Sequence, residues 1–280
     1  MLHPLAPSPA HIERFIVEGF VRIDEAFPRD LADACRQILW LATGFQEDSP
    51  ATWTRPVVRI GHIPHPLFRE AANTPKLHAA YDALVGPGRW LPLGSVGTFP
   101  IRFPSPEDPG DCGWHVDMSF GTENEPDFMK WRVNVASKGR ALLMLFLFSD
   151  VGEDDAPTRL RVGSHFDIAR RLAPHGEEGL TLGELASTGF TESAHRPEAL
   201  ATGPAGTVYL CHPFLVHAAQ PLRGRVPRFL AQPPLVPSVP LDPFRDDGNA
   251  APVERAIRIA LETQSDEPTR HTVTGSGEAC

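Results

Sequence analysis

Two side chains with metal-ligand chemistry stand two residues apart in residues 113–120, GWHVDMSF. They are His115 and Asp117, an imidazole and a carboxylate. Successive side chains of a strand point to opposite faces, so on a strand both groups would face the same point. They would supply two of the three ligands of a 2-His-1-carboxylate iron site, which leaves metal positions open for other ligands. A hydrogen-bonded pair at a strand end is the alternative interpretation.

Residues 207–235, TVYLCHPFLVHAAQPLRGRVPRFLAQPPL, contain the candidates for a third ligand. Two apolar runs flank a turn-rich patch, and they predict two antiparallel strands joined by a loop. Arg228 follows His217 by eleven residues, and Arg223 follows His212 by the same spacing. We favour His217, because the proline after His212 would interrupt strand pairing at the metal. Arg228 would then bind a carboxylate through its forked guanidinium.

Together these residues resemble the site motif of the phytanoyl-CoA dioxygenase family, which comprises Fe(II)- and 2-oxoglutarate-dependent oxygenases. The supporting stretches are residues 10–39 with EGFVRID, residues 141–165 ending in VGSH, and the run PRFLAQPPL. The resemblance covers about residues 8–236. Val162 departs from the proline that the family has before Gly-Ser-His. Ala219 replaces a common small hydroxyl residue, which affects one expected cosubstrate contact.

The resemblance implies a fold that is mainly β with flanking helices, a double-stranded β-helix of the jelly-roll or cupin-like type. It implies that His115, Asp117 and His217 bind Fe(II) and form the catalytic centre. Arg228 would bind the far carboxylate of 2-oxoglutarate, and Trp131 would lie beside this cosubstrate or else be an ordinary core residue. O2 would be the oxidant, and a small-molecule substrate would be hydroxylated with release of succinate and CO2.

Other functions account for part of the pattern. A related halogenase would carry Gly or Ala in place of Asp117, and a zinc hydrolase would need a nearby carboxylate base. The alternatives to a dioxygenase are another non-haem metal enzyme of this fold, a hydrolase or isomerase, and a non-catalytic cupin that binds a metal or ligand. The motifs do not define the substrate.

Composition narrows the class of protein. The 280 residues are 41% hydrophobic and 22% charged, values typical of a soluble globular protein. The net charge of −9 and the absence of a concentrated basic patch argue against nucleic-acid binding. No apolar run reaches the roughly 18–20 residues of a membrane span, and no signal peptide is recognisable. Four cysteines without CxxC spacing predict free thiols and a cytoplasmic protein.

Periodicity and turn residues predict the supporting elements. Helices are predicted at residues 10–18, 30–42, 74–85, 168–172, 182–187 and 252–261, and strands at 20–23, 57–60, 91–103, 128–135 and 141–148. Arg159 and Arg161 alternate with apolar residues, which favours a solvated strand face. The alternative interpretation is that one of these arginines binds an anionic group of the substrate. We expect a single oxygenase domain over residues 1–265, followed by a disordered tail at 266–280.

Overall fold

The computed structural model describes residues 5–121, 125–245 and 248–265. The predicted tail at 266–280 lies outside these residues. The described residues contain seven α-helices: α1 Pro9–Glu18, α2 Arg29–Thr43, α3 Pro66–Ala72, α4 Pro75–Val85, α5 Ser164–Leu172, α6 Leu182–Ala186 and α7 Pro252–Ser265. Within the described ranges, no helix has the length and apolar character needed to cross a membrane.

Short strands make up the rest of the regular structure. They are β1 Phe20–Ile23, β2 Val57–Ile60, β3 Phe99–Arg102, β4 Arg132–Val133, β5 Leu142–Leu147, β6 Arg159–Arg161, β7 Leu180–Thr181, β8 Glu198–Leu200, β9 Val208–Cys211, β10 His217–Ala218, β11 Leu230–Ala231 and β12 Pro234–Leu235. Their pairings are antiparallel. The fold is therefore mostly antiparallel strands with several helices.

Side-chain caps set the start of two helices. Ser8 accepts a hydrogen bond from the His11 amide and precedes α1, whose first residue is a proline. Thr74 accepts a hydrogen bond from the Leu77 amide and precedes α4, which also begins with a proline. Caps of this kind satisfy amides that the first helical turn leaves unpaired, so the predicted helices at 10–18 and 74–85 are confirmed close to their boundaries.

The larger sheet has the strand order β1-β9-β5-β11, and β12 also pairs with β5. All six residues of β5 are buried, which confirms the predicted central strand at 141–148. A bridge between Arg102 and Arg228 attaches the β2-β3 pair to the edge of this sheet. The pairing places both arginines at one end of the sheet.

The second sheet has the order β10-β6-β8, and a bridge between His115 and His217 extends it. The chain therefore passes from β9 in the larger sheet to β10 in the second sheet and returns to the larger sheet at β11. The predicted antiparallel pair within residues 207–235 is wrong, because each run pairs with a strand far away in sequence. Turn residues indicate where the chain bends but leave the partner strand undefined.

The two sheets share an apolar cluster. Leu145 of β5, Tyr209 of β9 and Leu230 of β11 belong to it together with Leu160 of β6. A larger cluster packs the helices on the sheet and includes residues of both α1 and α7. This apolar cluster joins the two sheets.

Three strand predictions need correction. His115 lies in an extended segment with a single bridge and no regular strand, because its neighbours form no ladder. Only Phe99–Arg102 of the predicted strand at 91–103 is a strand. The predicted strand at 128–135 is reduced to β4, preceded by a 3-10 turn at Phe128–Lys130.

Candidate metal centre and cavity

Backbone pairing brings the two candidate histidines together. His115 and His217 lie directly opposite each other, and each amide donates to the other's carbonyl over 2.9 Å. Residues opposite each other in an antiparallel pair project from the same face. Their ring centroids are accordingly 4.3 Å apart.

Asp117 joins the two imidazoles. Its Oδ1 lies 3.8 Å from Nε2 of His115 and 3.7 Å from Nε2 of His217. One ligand atom from each residue lies within 4.8 Å of the other two. The Nδ1 atoms of the histidines each lie 3.0 Å from a backbone carbonyl two residues earlier, at Gly113 and Leu215. This arrangement places the proton on Nδ1 and leaves the Nε2 lone pairs free for a metal.

Nε2 of His217 is buried and has no hydrogen-bond partner among the described residues. Burial, assisted by His115, lowers the pKa of His217 to about 4, so its imidazole is neutral near pH 7. A buried polar atom without a partner is costly in a folded protein. A metal ion bound by this nitrogen would remove that cost.

Arg140 contacts the carboxylate from its other side. Its Nη1 lies 3.2 Å from Oδ2 of Asp117. Burial alone would raise the pKa of Asp117, but Arg140 and the two imidazoles outweigh burial and hold this pKa below its ordinary value. No motif in the sequence marks Arg140, because its contact with Asp117 joins residues that are 23 positions apart. Oδ1 is consequently the carboxylate oxygen that faces the histidines.

Arg228 lies on the strand edge beside the cavity and is buried. Its Nη1 and Nη2 donate to the carbonyl oxygens of Ala156 and Pro100, while Nε has no partner in the described chain. Burial and the nearby Arg102 lower the pKa of Arg228 to about 9, so it stays charged at neutral pH. The guanidinium is fixed in place and retains donor capacity for an anion.

A cavity of about 570 Å³ connects these groups. His115, Asp117, Arg140 and Arg228 line it, and so does Trp131. The Trp131 ring is 39% exposed at the mouth, and its Nε1 donates to the Glu125 carbonyl over 2.8 Å. Trp131 is therefore not an ordinary core tryptophan.

The alternative pair of His212 and Arg223 lies elsewhere. His212 is buried in the helical layer, where Nε2 lies 3.1 Å from the Val253 carbonyl and Nδ1 accepts from the Phe214 amide. Both of its nitrogens are thus used by the backbone. Arg223 is exposed. Of the other pair, His217 lies beside Asp117, and Arg228 lines the same cavity as Asp117.

Two arginines of β6 contradict the prediction of a solvated strand face. Arg161 is buried and donates to the Phe190 carbonyl and to Oγ of Ser193. The guanidinium carbons of Arg159 and Arg161 lie 4.5 and 4.1 Å from the ring centroid of Trp114. Alternation along β6 marks two faces, but here both faces are covered by other parts of the chain.

Several solved structures share this fold at low sequence identity. SnoK, a non-heme alpha-ketoglutarate-dependent carbocyclase from nogalamycin biosynthesis, matches with a TM-score of 0.56 and 16% identity, covering 86% of this chain and 89% of SnoK. HygX from Streptomyces hygroscopicus, solved with nickel and 2-oxoglutarate, has a TM-score of 0.53 and 18% identity over 83% of this chain and 88% of HygX. EctD from S. alaskensis, solved with 2-oxoglutarate and 5-hydroxyectoine, has a TM-score of 0.56 and 20% identity over 83% of this chain and 76% of EctD.

At sequence identities of 16–20%, these similarities establish a shared fold and do not establish a shared activity. No family model and no curated protein sequence matches the chain. The chain therefore shares the fold of these enzymes, and its chemistry must be argued from its own side chains.

Proposed function

We propose that this protein is an Fe(II)- and 2-oxoglutarate-dependent dioxygenase of the phytanoyl-CoA dioxygenase type that hydroxylates a small molecule. The observation that carries the proposal is the convergence of His115, Asp117 and His217, with the buried Nε2 of His217 lacking any other partner in the described chain. Two imidazoles and one carboxylate are the donor set of the facial triad of non-haem iron oxygenases.

The fold supports the same function. Two antiparallel sheets share an apolar cluster, and the chain alternates between them at β9, β10 and β11, as a double-stranded β-helix requires. The structural neighbours SnoK, HygX and EctD, whose names or bound ligands include 2-oxoglutarate, share this fold. We propose a single catalytic domain over residues 1–265, since the main core cluster joins α1 to α7.

Each lining residue has a task in this proposal. The triad would hold Fe(II), and Arg228 would bind the far carboxylate of 2-oxoglutarate with its remaining donors. Trp131 would flank the cosubstrate and limit water at the mouth, and Arg140 would keep Oδ1 of Asp117 turned to the metal. When bound, iron and 2-oxoglutarate supply oxidation by O2 coupled to decarboxylation of the cosubstrate to succinate.

Anaerobic titration of the protein with Fe(II) and then 2-oxoglutarate tests the proposal. We expect a weak visible charge-transfer band, which forms when the cosubstrate chelates iron through its keto-acid end. Asp117→Ala should lose the band while its circular dichroism stays close to that of the wild type, because the change removes a metal ligand and the ion pair with Arg140 but no apolar core contact.

Asp48→Ala, which removes an exposed carboxylate, is the matched control and should keep the band. A band that persists at full intensity in Asp117→Ala would exclude the triad assignment. A substrate panel assayed for succinate release would then identify the compound that is oxidised.

A further inference from the structure

The cavity beside the candidate metal centre has more positive than negative side chains. Four arginines line it against two aspartates: Arg59, Arg102, Arg140 and Arg228, with Asp111 and Asp117. If the proposed function holds, a dication and a dianionic cosubstrate enter the cavity and cancel each other. The excess of two positive charges then remains for another ligand.

Arg102 is a buried cation of this lining with unused hydrogen-bonding capacity. Its side chain is 1% exposed, and its Nη2 donates to Oδ1 of Asp111 over 2.6 Å. Its Nε and Nη1 have no partner within the described ranges. Leaving a buried donor unpaired costs about 1–3 kcal/mol, and more for a charged group. The wall of the cavity therefore contains a guanidinium with two nitrogens that lack an acceptor among the described residues.

Asp111 shows that this part of the cavity wall binds a carboxylate. Its Oδ2 takes a hydrogen bond of 2.5 Å from Nη2 of Arg59, so one carboxylate bridges Arg59 and Arg102. The Arg59 side chain is 54% exposed and lies towards solvent. A single internal carboxylate neutralises only one of the two guanidinium groups, so the pair can still attract an anion.

Most of the remaining lining is apolar, including Val116, Met118, Phe128, Trp131 and Leu182, while Thr98, Thr158 and Gln232 add polar groups. Phe128 is 60% exposed and Trp131 is 39% exposed, so both aromatic side chains are accessible to a ligand. A ligand that fits this cavity has an apolar body as well as an anionic group.

We propose that Arg102, assisted by Arg59, binds the carboxylate of the substrate, and that the substrate class is an apolar carboxylic acid. The proposal rests on the proposed function for the identity of the reaction. It assigns Arg102 to the substrate and Arg228 to the cosubstrate, although backbone hydrogen bonds of 3.0 and 2.9 Å pair these two residues. The opposing possibility is that Arg102 is a second donor to 2-oxoglutarate.

Calorimetric titration of the Ni(II)- and 2-oxoglutarate-loaded protein with 4-phenylbutyrate tests the assignment, with 4-phenylbutyramide as the uncharged probe. We expect the wild type to bind the acid at least about tenfold more tightly than the amide, since a charge-assisted hydrogen bond contributes roughly 1.5–3 kcal/mol. Arg102→Gln should abolish that preference while the affinity for 2-oxoglutarate stays within about twofold of wild type.

Asp111→Asn is the sharpest second variant, because it removes the internal carboxylate without removing a cation. It should tighten binding of 4-phenylbutyrate by several-fold, a gain that a purely structural role of Asp111 would not produce. Arg59→Gln changes an exposed side chain and should weaken the acid several-fold if Arg102→Gln does not fold. Arg196→Gln, which breaks a half-buried ion pair with Asp167 outside the cavity, should change neither affinity.

Each other outcome has a definite meaning. Equal binding of acid and amide by the wild type, or no saturable acid binding at millimolar concentration, would overturn the inference. Loss of 2-oxoglutarate affinity in Arg102→Gln with unchanged acid binding would assign Arg102 to the cosubstrate and leave the proposed function intact. A wild type that binds no 2-oxoglutarate would reject the proposed function, and the acid titration would still test the anion site.

Discussion

The hydrogen bonds of the histidines distinguish a candidate ligand from a core residue of the same type. His217 uses only Nδ1 on the backbone, and its Nε2 faces the carboxylate of Asp117. His212, five residues earlier, uses both nitrogens on backbone groups and has none left for a metal. The difference is invisible in the residue type and follows from where each ring packs.

At the same scale, Arg228→Ala should weaken 2-oxoglutarate binding by about 30-fold or more. Removing one partner of a buried charge-assisted pair costs roughly 2–5 kcal/mol, and about 1.4 kcal/mol corresponds to a factor of ten in affinity. Arg228→Lys should restore only part of the affinity, because an ammonium cannot reproduce the guanidinium fork. Calorimetric titration of the Ni(II)-loaded variants with 2-oxoglutarate measures both effects.

Arg223→Ala provides the control for Arg228, since Arg223 is exposed and five residues away in the same segment. Its affinity for 2-oxoglutarate should equal that of the wild type. An unaltered affinity in Arg228→Ala, with a large loss in Arg223→Ala, would show that the cosubstrate clamp has been placed on the wrong arginine.

At the scale of elements, β6 supports both histidine-bearing segments. It pairs directly with β10, which carries His217. Nη2 of Arg159 donates to the Cys112 carbonyl over 3.1 Å, and the same guanidinium covers the Trp114 ring next to His115. One strand thereby fixes the separation of two candidate ligands that are remote in sequence.

Arg159→Gln should therefore reduce metal affinity by about tenfold, within the range seen when groups that orient ligands are removed. The ligands remain, but the segment before His115 loses a hydrogen bond and a cation–π contact that hold its position. Titration with Ni(II), followed by calorimetry, measures the loss. Unchanged Ni(II) affinity in a variant with a lowered melting temperature would show that Arg159 contributes to stability alone.

At the scale of the whole molecule, two buried histidines connect the helical layer to the sheets. His165 of α5 lies 2.9 Å from the Ile16 carbonyl of α1, and its ring centroid is 4.8 Å from that of His212. Gly19 ends α1 with φ of +87°, and a Cβ there would lie 2.5 Å from Nδ1 of His165. Only glycine satisfies both the left-handed backbone and this close approach.

These two histidines predict that stability falls as the pH falls. Burial lowers the pKa of His165 to about 4 and that of His212 well below its ordinary value. Below about pH 6.5, the unfolded chain binds protons that the folded chain does not, so His165 removes up to about 1.4 kcal/mol of stability per pH unit down to about pH 4. The lowered pKa of His212 adds to the loss of stability in the same direction. Urea unfolding of the metal-free protein at a series of pH values measures this slope.

His165→Asn, which can keep the hydrogen bond to the Ile16 carbonyl, should flatten the slope relative to wild type. His195→Gln changes an exposed histidine and should leave it as steep as in the wild type. The linkage argument would be contradicted by equal slopes in wild type and His165→Asn.

Local patterns in the sequence determined much of this protein. Periodicity located α1 and α4, and an unbroken apolar run identified β5 as a central strand. The spacing of His115 and Asp117, together with a distal histidine and arginine, selected the three residues of the candidate metal cluster and an arginine that lines the adjoining cavity. These features depend on neighbours in sequence or on a fixed spacing, so they can be recognised without the fold.

Tertiary structure determined which strands pair and which remote residues line the cavity. The runs at β9 and β11 do not pair with each other, because each finds its antiparallel neighbour in a distant strand of the larger sheet. No sequence motif around Arg102 or Arg140 indicates a function. Both residues line the cavity only because segments remote in sequence pack against them. Burial, hydrogen-bond satisfaction and charge balance are properties of the packed chain, since they depend on residues that are distant in sequence and close in space.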